Sequence, residues 1–204
     1  MTYDLLLRLP LLVWALFCTV KQLAMLTTVD VGHIAMRLPT IAFLLLVAAS
    51  VILRSRPSAK ASGLEPRISA LAGSFMMYSI VFFPRRELSL SLEMISTVLT
   101  LIGTIGAVVA LSQLGRSFSV MAETRQLVTT GPYRLVRHPL YLAEQIAIIG
   151  VFIQYASVWT ALLLAMQIAF QLRRMHNEEL VLTVSFPEYV EYRQTTARLI
   201  PGVY

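Results

Sequence analysis

Residues 140–172, LYLAEQIAIIGVFIQYASVWTALLLAMQIAFQL, form two apolar runs that are separated by a minimal turn. Each run, 140–154 and 157–172, has about 15 residues, which gives a helix of roughly 22 Å at 1.5 Å per residue. Such helices reach deep into a hydrocarbon core of about 30 Å without crossing it comfortably. A hairpin this short is expected to bring its two polar ends together on one side of a membrane.

The composition of the chain excludes an ordinary soluble domain. Of its residues 57% are hydrophobic and only 14% are charged, and the mean hydropathy is +0.71. A soluble domain is typically about 25% charged because it must cover its surface with polar groups. Four further apolar runs precede the hairpin. They cover residues 5–28, 38–53, 68–83 and 92–114. The sequence therefore predicts an all-α polytopic membrane protein with six transmembrane helices.

The positions of Lys and Arg predict the topology, because these residues collect on the cytoplasmic side of short loops. With six spans, thirteen of the 17 cationic residues fall on one side and three on the other, with Lys21 inside a span. The prediction is an inner-membrane protein with both termini in the cytoplasm. The same bias explains the net charge of +6 without a nucleic-acid partner. The thirteen are Arg8, Arg54, Arg56, Lys60, Arg67, Arg116, Arg125, Arg134, Arg137, Arg173, Arg174, Arg193 and Arg198, and the three are Arg37, Arg85 and Arg86.

Two polar segments, 115–138 and 173–204, bracket the hairpin on the cytoplasmic side. The chain is therefore divided into four N-terminal spans over residues 1–114 and a second region over 115–204, which holds a loop, the hairpin and a C-terminal cap. The hairpin should bring the residues before its first helix against those after its second: Arg137, His138 and Tyr141 against Arg173, Arg174, Glu178 and Glu179. The plainer alternative is an ordinary loop with arginines reaching the headgroups and a surface ion pair.

Polar residues elsewhere carry weaker indications. Cys18 is the single cysteine, and His33 falls across the membrane from the other two histidines, so no metal site is predicted. Lys21 either reaches the headgroups, pairs with Asp30 or Glu144, or faces a cavity. Glu144, one turn into the fifth helix, either joins helices or belongs to an acceptor pocket.

The second region carries several motifs in a fixed order. They are GPYR at 131–134, RHP at 137–139 followed by Tyr141, the pair Glu178-Glu179, FPEYVEY at 186–192, and LIP at 199–201. This order resembles the isoprenylcysteine carboxyl methyltransferase family, which sits in a wider group that includes phospholipid N-methyltransferases. The resemblance covers roughly residues 111–202, nearly half of the chain, and the first three spans carry no signature.

The resemblance implies methyl transfer from S-adenosylmethionine to a lipophilic acceptor, with a carboxyl group as first choice. Arg174 would orient that carboxyl group. If the acceptor were an amine, a carboxylate such as Glu179 would take up the released proton. By the motif matches, the implied cofactor-binding residues are Arg125, Gln126, Leu127, Val128, Tyr133, His138, Pro139, Leu140, Tyr141 and Glu178.

Three other functions remain open at this point. The first is N-methylation of a phospholipid or another amine. The second is an NADPH-dependent membrane reductase of the sterol-reductase type, although no basic cluster can be separated from the topology-determining arginines to bind a 2′-phosphate. The third is a transporter or scaffold, which would place polar groups near the bilayer midplane rather than at one cytoplasmic point. The sequence does not specify the oligomeric state.

Overall fold

The computed structural model describes the backbone of residues 2–26, 31–53 and 57–202 and the side chains of residues 9–24, 38–53 and 57–202. Within these residues the chain is almost entirely helical, which confirms the all-α prediction. The α-helices are α1 (Thr2–Leu26), α2 (Val31–Leu53), α3 (Glu65–Phe75), α4 (Leu90–Leu114), α5 (Pro139–Tyr155), α6 (Val158–Ser185) and α7 (Tyr189–Thr195). Three 3₁₀ segments, Met76–Phe82, Gly115–Ser117 and Gly131–Arg134, and two short strands, β1 (Ala59–Lys60) and β2 (Glu123–Thr124), complete the fold.

Apolar side chains cover the outside of the helices. Among the described residues, one helical stretch, Leu90–Ser117, is long and apolar enough to cross a membrane by itself, and Leu9–Ala24, Leu38–Leu53 and Pro139–Tyr155 are shorter apolar helical stretches. Exposed side chains such as Phe17, Ile102 and Trp159 form an apolar surface that favours contact with lipid. Six spans remain a prediction.

The third apolar run, 68–83, is not one α-helix as predicted. The helix α3 ends at Phe75, and a 3₁₀ segment continues to Phe82. The segment stops there because Phe83 precedes Pro84, which restricts Phe83 to an extended backbone with φ −93° and ψ 152°. A 3₁₀ helix rises about 2 Å per residue, so the combined element still reaches roughly 30 Å.

The predicted hairpin has a minimal turn but its helices differ from the expectation. A capping box between Ser157 and Thr160 starts α6, and α6 continues for 28 residues, well past the predicted end at 172. The helix α5 packs mainly on α4, and α6 packs mainly on α3. The two helices therefore approach each other through polar side chains near the ends that adjoin the polar segments, rather than as a tightly packed pair.

Glycines allow α4 and α5 to pack with their backbones close together. A Cβ atom at Gly103 would lie 2.3 Å from the backbone nitrogen of Ala147, and one at Gly150 would lie 2.5 Å from Oγ1 of Thr100. A hydrogen bond from Ser96 Oγ to the carbonyl of Gly150, at 2.8 Å, crosses the same interface. These contacts hold the middle and the C-terminal half of α5 close against α4.

The substitution Gly103→Ala should lower the free energy of unfolding by about 1–3 kcal/mol, because overpacking forces the two helix backbones apart. Gly106→Ala is the matched control, since its Cβ would meet only a side-chain methyl, that of Ala143, at 3.1 Å. Thermal unfolding of the detergent-solubilised variants measures the difference. Equal losses for the two variants would show that the α4–α5 contact is looser than described.

The strands connect the loop after α2 to the segment after α4. Ala59 pairs with Thr124 and Lys60 with Glu123 in an antiparallel ladder. Backbone hydrogen bonds from Ser58 to Thr124 (2.7 Å) and from Ala61 to Ala122 (2.9 Å) extend it. The contacts of β1 with β2 and of α3 with α6 join residues 1–114 to residues 115–204 and hold the polar segments in place.

Candidate active site

A cleft lies between the C-terminal end of α4, the first turn of α5 and the second half of α6, and α7 closes one side of it. Nine of the ten predicted cofactor-binding residues line this cleft, and Pro139 does not. The nine are Arg125, Gln126, Leu127, Val128, Tyr133, His138, Leu140, Tyr141 and Glu178. Sequence-distant residues therefore meet at one point, as the short hairpin predicted.

Tyr141 and Glu178 join the first turn of α5 to the second half of α6. The Tyr141 hydroxyl donates a hydrogen bond to Oε1 of Glu178. The ring of Tyr141 also lies parallel to that of His138, with 5.4 Å between centroids. The Glu178 side chain remains 18% exposed, so its carboxylate is still accessible from the cleft.

Arg174 lies behind Tyr141 rather than on the surface of the cleft. Its guanidinium is 4.5 Å from the centre of the Tyr141 ring, and its Nε is 3.3 Å from Oε1 of Glu178. Its other nitrogens donate to Ser74 Oγ at 2.7 Å and to the carbonyl of Ser119 at 3.4 Å. Because Arg174 is only 2% exposed, direct contact with an acceptor requires the exchange of one of these partners.

Glu179 faces away from the cleft, on the adjoining face of α6. It accepts hydrogen bonds from Arg137 (3.0 Å) and Arg198 (3.1 Å), and one of its oxygens lies 3.0 Å from Nε2 of His138. Burial alone would raise the pKa of Glu179, but the hydrogen bond with His138 and the charges of its three partners outweigh burial and lower the pKa to about 2. From the sequence, Glu179 was expected to accept a proton at the site. The structure instead places it outside the cleft, where Arg137, His138 and Arg198 hold it on the other side.

Glu179 and its partners Arg137, His138 and Arg198 attach the C-terminal segment to the start of α5. The backbone N–H groups of Arg137 and His138 donate to the carbonyls of Ala197 (2.8 Å) and Arg198 (3.1 Å). Arg173, which was predicted to face the same point, instead pairs with Glu65 at 3.1 Å on the exposed surface. The predicted C-terminal cap is thus anchored by backbone and charge together.

Arg125 is held by acidic and backbone partners around β2. Its Nη2 lies 2.7 Å from Oε2 of Glu123, and Glu123 in turn pairs with Lys60 at 3.4 Å. Ser58 Oγ donates to the carbonyl of Arg125 at 3.3 Å. Nothing in the order of the sequence indicated that Glu123 and Lys60 support this side of the cleft, since they come together only through the β1–β2 ladder.

Tyrosines form the wall that α7 contributes. The Tyr192 hydroxyl donates to the carbonyl of Tyr133, and burial raises the pKa of Tyr192 to about 12 despite the charge of Arg137. The hydroxyl oxygens of Tyr133 and Tyr189 are buried and have no hydrogen-bond partner among the residues that the structure describes. Both residues line the cleft. Two unpartnered hydroxyls at a cleft fit a polar ligand that supplies hydrogen bonds there.

Among the described residues, neither a metal-binding group nor a partner for Lys21 suggests a further site. The part of the chain that the structure describes contains no group of three or more His, Cys, Asp or Glu side chains suited to a metal ion. His33 and Asp30, which figured in the sequence predictions, lie outside the residues whose side chains are described. Lys21 is exposed, with Nζ 5.4 Å from the ring centre of Phe17.

Comparisons with known proteins indicate the family. The phospholipid methyltransferase model matches residues 92–188. The nickel-cobalt-cadmium resistance protein NccN of Alcaligenes xylosoxydans xylosoxydans is 31% identical over 112 residues, which is 52% of each chain. The cobalt-zinc-cadmium resistance protein CzcN of Cupriavidus metallidurans is also 31% identical over 112 residues, 52% of this chain and 51% of the relative. This chain therefore spans about half the length of these two relatives.

A plant relative covers more of the chain. Protein-S-isoprenylcysteine O-methyltransferase B of Arabidopsis thaliana is 29% identical over 163 residues, which is 76% of this chain and 81% of the relative. The region matched by the family model includes the first turn of α5 and the Glu178-Glu179 pair of α6. The resemblance predicted from the motifs is thereby confirmed: this chain is isoprenylcysteine carboxyl methyltransferase-like and is related to the phospholipid methyltransferases.

Proposed function

We propose that the protein transfers a methyl group from S-adenosylmethionine to the polar head of a lipophilic acceptor. The observation that carries this proposal is the cleft, where Tyr141 and Glu178 are hydrogen-bonded beside the unpartnered hydroxyls of Tyr133 and Tyr189. It is supported by the family match and by the names of the Arabidopsis relatives, which are methyltransferases.

The residues of the cleft fit the groups of S-adenosylmethionine, which when bound supplies a methyl group on a sulfonium ion. Glu178 is suited to its ammonium or ribose hydroxyls. The ring of His138, which lines the cleft, is suited to its carboxylate. Leu127 and Tyr133 offer apolar and aromatic surface for adenine. Charge is lost in the transfer, so a cleft that excludes water and aligns the reactants favours it.

A second cavity, of about 300 Å³, provides room for the apolar part of an acceptor. It lies between α2, the segment Met76–Phe82, α4 and α5, and most of its lining is apolar. For the reacting head, a carboxyl group is the first candidate, by the O-methyltransferase names of the plant relatives. An amine is the second candidate, favoured by the phospholipid methyltransferase match.

The proposed setting is the bacterial inner membrane, with both termini and the cleft on the cytoplasmic side. The charge bias of the sequence and the exposed apolar surfaces of α1, α4 and α6 support it. The proposed partners are membrane lipids and a lipophilic small-molecule or lipidated acceptor.

Calorimetric titration of the detergent-solubilised protein tests the function. S-adenosylmethionine and S-adenosylhomocysteine should bind, and NADPH should not; the reverse result would favour the reductase. A radiolabelled methyl group should be transferred to a lipidated acceptor but not to its water-soluble counterpart. Equal methylation of the two acceptors would contradict the lipophilic part of the proposal.

The substitution Arg174→Ala should impair turnover more than cofactor affinity. Arg174 supports Tyr141 and the boundary of the acceptor cavity, so its loss misplaces the reactants, and small misplacements cost about a hundredfold in rate. The affinity for S-adenosylmethionine should fall by less than about tenfold, since Glu178 keeps its bond with Tyr141. Single-turnover kinetics and calorimetry separate the two effects. A larger loss of affinity than of rate would show that Arg174 serves the cofactor instead.

A further inference from the structure

A crevice lies between α6 and the segment that runs from the end of α7 to residue 202. Its volume of about 510 Å³ is within the range of ligand-binding clefts. Its ionisable lining residues are Arg137, His176, Glu179, Arg193 and Arg198. Among the lining residues, all of which the structure describes, Glu179 has the only acidic side chain, and Arg137 and Arg198 already pair with it. With three arginines and one carboxylate, the crevice has an excess of positive charge and favours an anion.

Two exposed side chains face each other across this crevice, Arg193 from α7 and His176 from α6. The backbone of Arg193 is held in place, because its carbonyl accepts a hydrogen bond of 2.8 Å from Nη1 of Arg137. A guanidinium group matches the geometry of phosphate oxygens, and a histidine ring offers an N–H donor in either tautomer. The crevice therefore presents hydrogen-bond donors of the kind that bind a phosphate group.

The crevice lies at the level where the apolar helix α5 begins. His138 immediately precedes α5, and its Nε2 lies 3.0 Å from Oε1 of Glu179, which lines the crevice. His176 lies three residues before Glu179 on the same helix, on the side of the predicted span. In the proposed topology this level is the cytoplasmic boundary of the membrane, where lipid phosphates lie. Anionic lipids give that leaflet a negative surface potential, which attracts cationic side chains near it.

An apolar row on α6 leads to the crevice. Ile168, Leu172 and His176 follow one another at intervals of four residues, so they share one face of the helix. The side chains of Ile168 and Leu172 are 38% and 37% exposed. A phospholipid matches this arrangement, because its acyl chain can lie along the row while its phosphate reaches His176. A soluble anion would make no use of the row.

We propose that the crevice binds the phosphate of an anionic phospholipid and that this lipid holds the C-terminal segment against α6. Arg193 and Arg198 belong to the C-terminal segment and His176 belongs to α6, so a phosphate that contacts both sides joins them. Glu179 faces away from the cofactor cleft, so a lipid on this side of α6 is not the methyl acceptor. The inference rests on the proposed membrane setting and does not depend on methyl transfer.

Native mass spectrometry of the detergent-solubilised full chain measures the binding. Dioleoylphosphatidylglycerol should bind at least about tenfold more tightly than dioleoylphosphatidylcholine, whose headgroup has no net charge. Arg193→Gln should weaken the binding of phosphatidylglycerol by about fivefold, as expected for one cation near an anionic headgroup, and the double variant with His176→Gln by at least about tenfold. Arg67→Gln is the matched control, since Arg67 is exposed on the same predicted side but outside the crevice. Equal binding of the two lipids, or equal losses in the variants and the control, would overturn the proposal.

Limited proteolysis tests whether the lipid holds the C-terminal segment. Phosphatidylglycerol should slow cleavage of this segment by about fivefold in the wild type, because ligand binding lowers the population of the open form, and it should have no such effect in the double variant. Equal protection by glycerol 3-phosphate would indicate a site for a soluble anion and overturn the lipid proposal, and lipid binding without protection would overturn the holding role. Failure to bind S-adenosylmethionine would refute the proposed function and would leave both lipid measurements unchanged.

Discussion

Glu178→Ala should weaken the binding of S-adenosylmethionine by about tenfold to a hundredfold. A hydrogen bond to a charged group contributes about 1.5–3 kcal/mol, and 1.4 kcal/mol corresponds to a factor of ten in affinity. Glu178 lines the cleft and its side chain remains 18% exposed, with Tyr141 bonded to one of its oxygens. Calorimetry with the solubilised variant measures the loss.

Two further variants separate the charge of Glu178 from its shape. Glu178→Gln keeps an oxygen that can accept the Tyr141 hydrogen bond, so it should retain the fold while losing most of the affinity. Glu191→Gln removes an exposed carboxylate of α7 and should leave binding unchanged. Unchanged affinity in both Glu178 variants, with the fold intact, would show that the cofactor is held elsewhere.

Glu179→Gln should cause the largest loss of stability, about 3–5 kcal/mol. Removing one member of a buried ion cluster leaves the remaining charges uncompensated. Two arginines, Arg137 and Arg198, and the ring of His138 surround this carboxylate, and its side chain is only 8% exposed. Thermal unfolding should show the loss, and limited proteolysis should cut the C-terminal segment sooner. Glu188→Gln, at an exposed carboxylate, is the control. A loss below about 0.5 kcal/mol would contradict the anchoring role.

The same carboxylate predicts an acid limit to stability. The pKa of Glu179 is lowered from 4.5 to about 2 in the folded protein, so the folded state stabilises the ionised form. Its contribution is present in full above about pH 4.5 and is lost as the pH falls toward 2. The Glu179→Gln variant should lack this part of the acid dependence.

The helices and the meeting of the two polar segments were predictable from the sequence, because apolar runs and the minimal turn after Gln154 fix them. The third run was predicted less well. Hydrophobicity does not distinguish an α-helix from the 3₁₀ segment Met76–Phe82, where the path depends on Pro84 and on packing against α6.

The roles of adjacent residues were harder to predict. Glu178 and Glu179 are neighbours in the chain, but successive residues of a helix point about 100° apart, so one lines the cleft and the other faces Arg137, His138 and Arg198. Which residue faces which way depends on the positions of Tyr141 and Arg198, and these are set by the tertiary fold. The contact of Arg174 with Ser74 joins residues 100 positions apart, and no motif signals it.

The most direct test of the account is an experimental structure of the full chain with S-adenosylhomocysteine bound. The account predicts the ligand between the segment 125–133 and α6, in contact with Glu178 and within hydrogen-bond reach of the Tyr133 or Tyr189 hydroxyl. A ligand bound away from these residues, or Tyr141 and Glu178 on opposite faces of the membrane with no cleft between them, would contradict it.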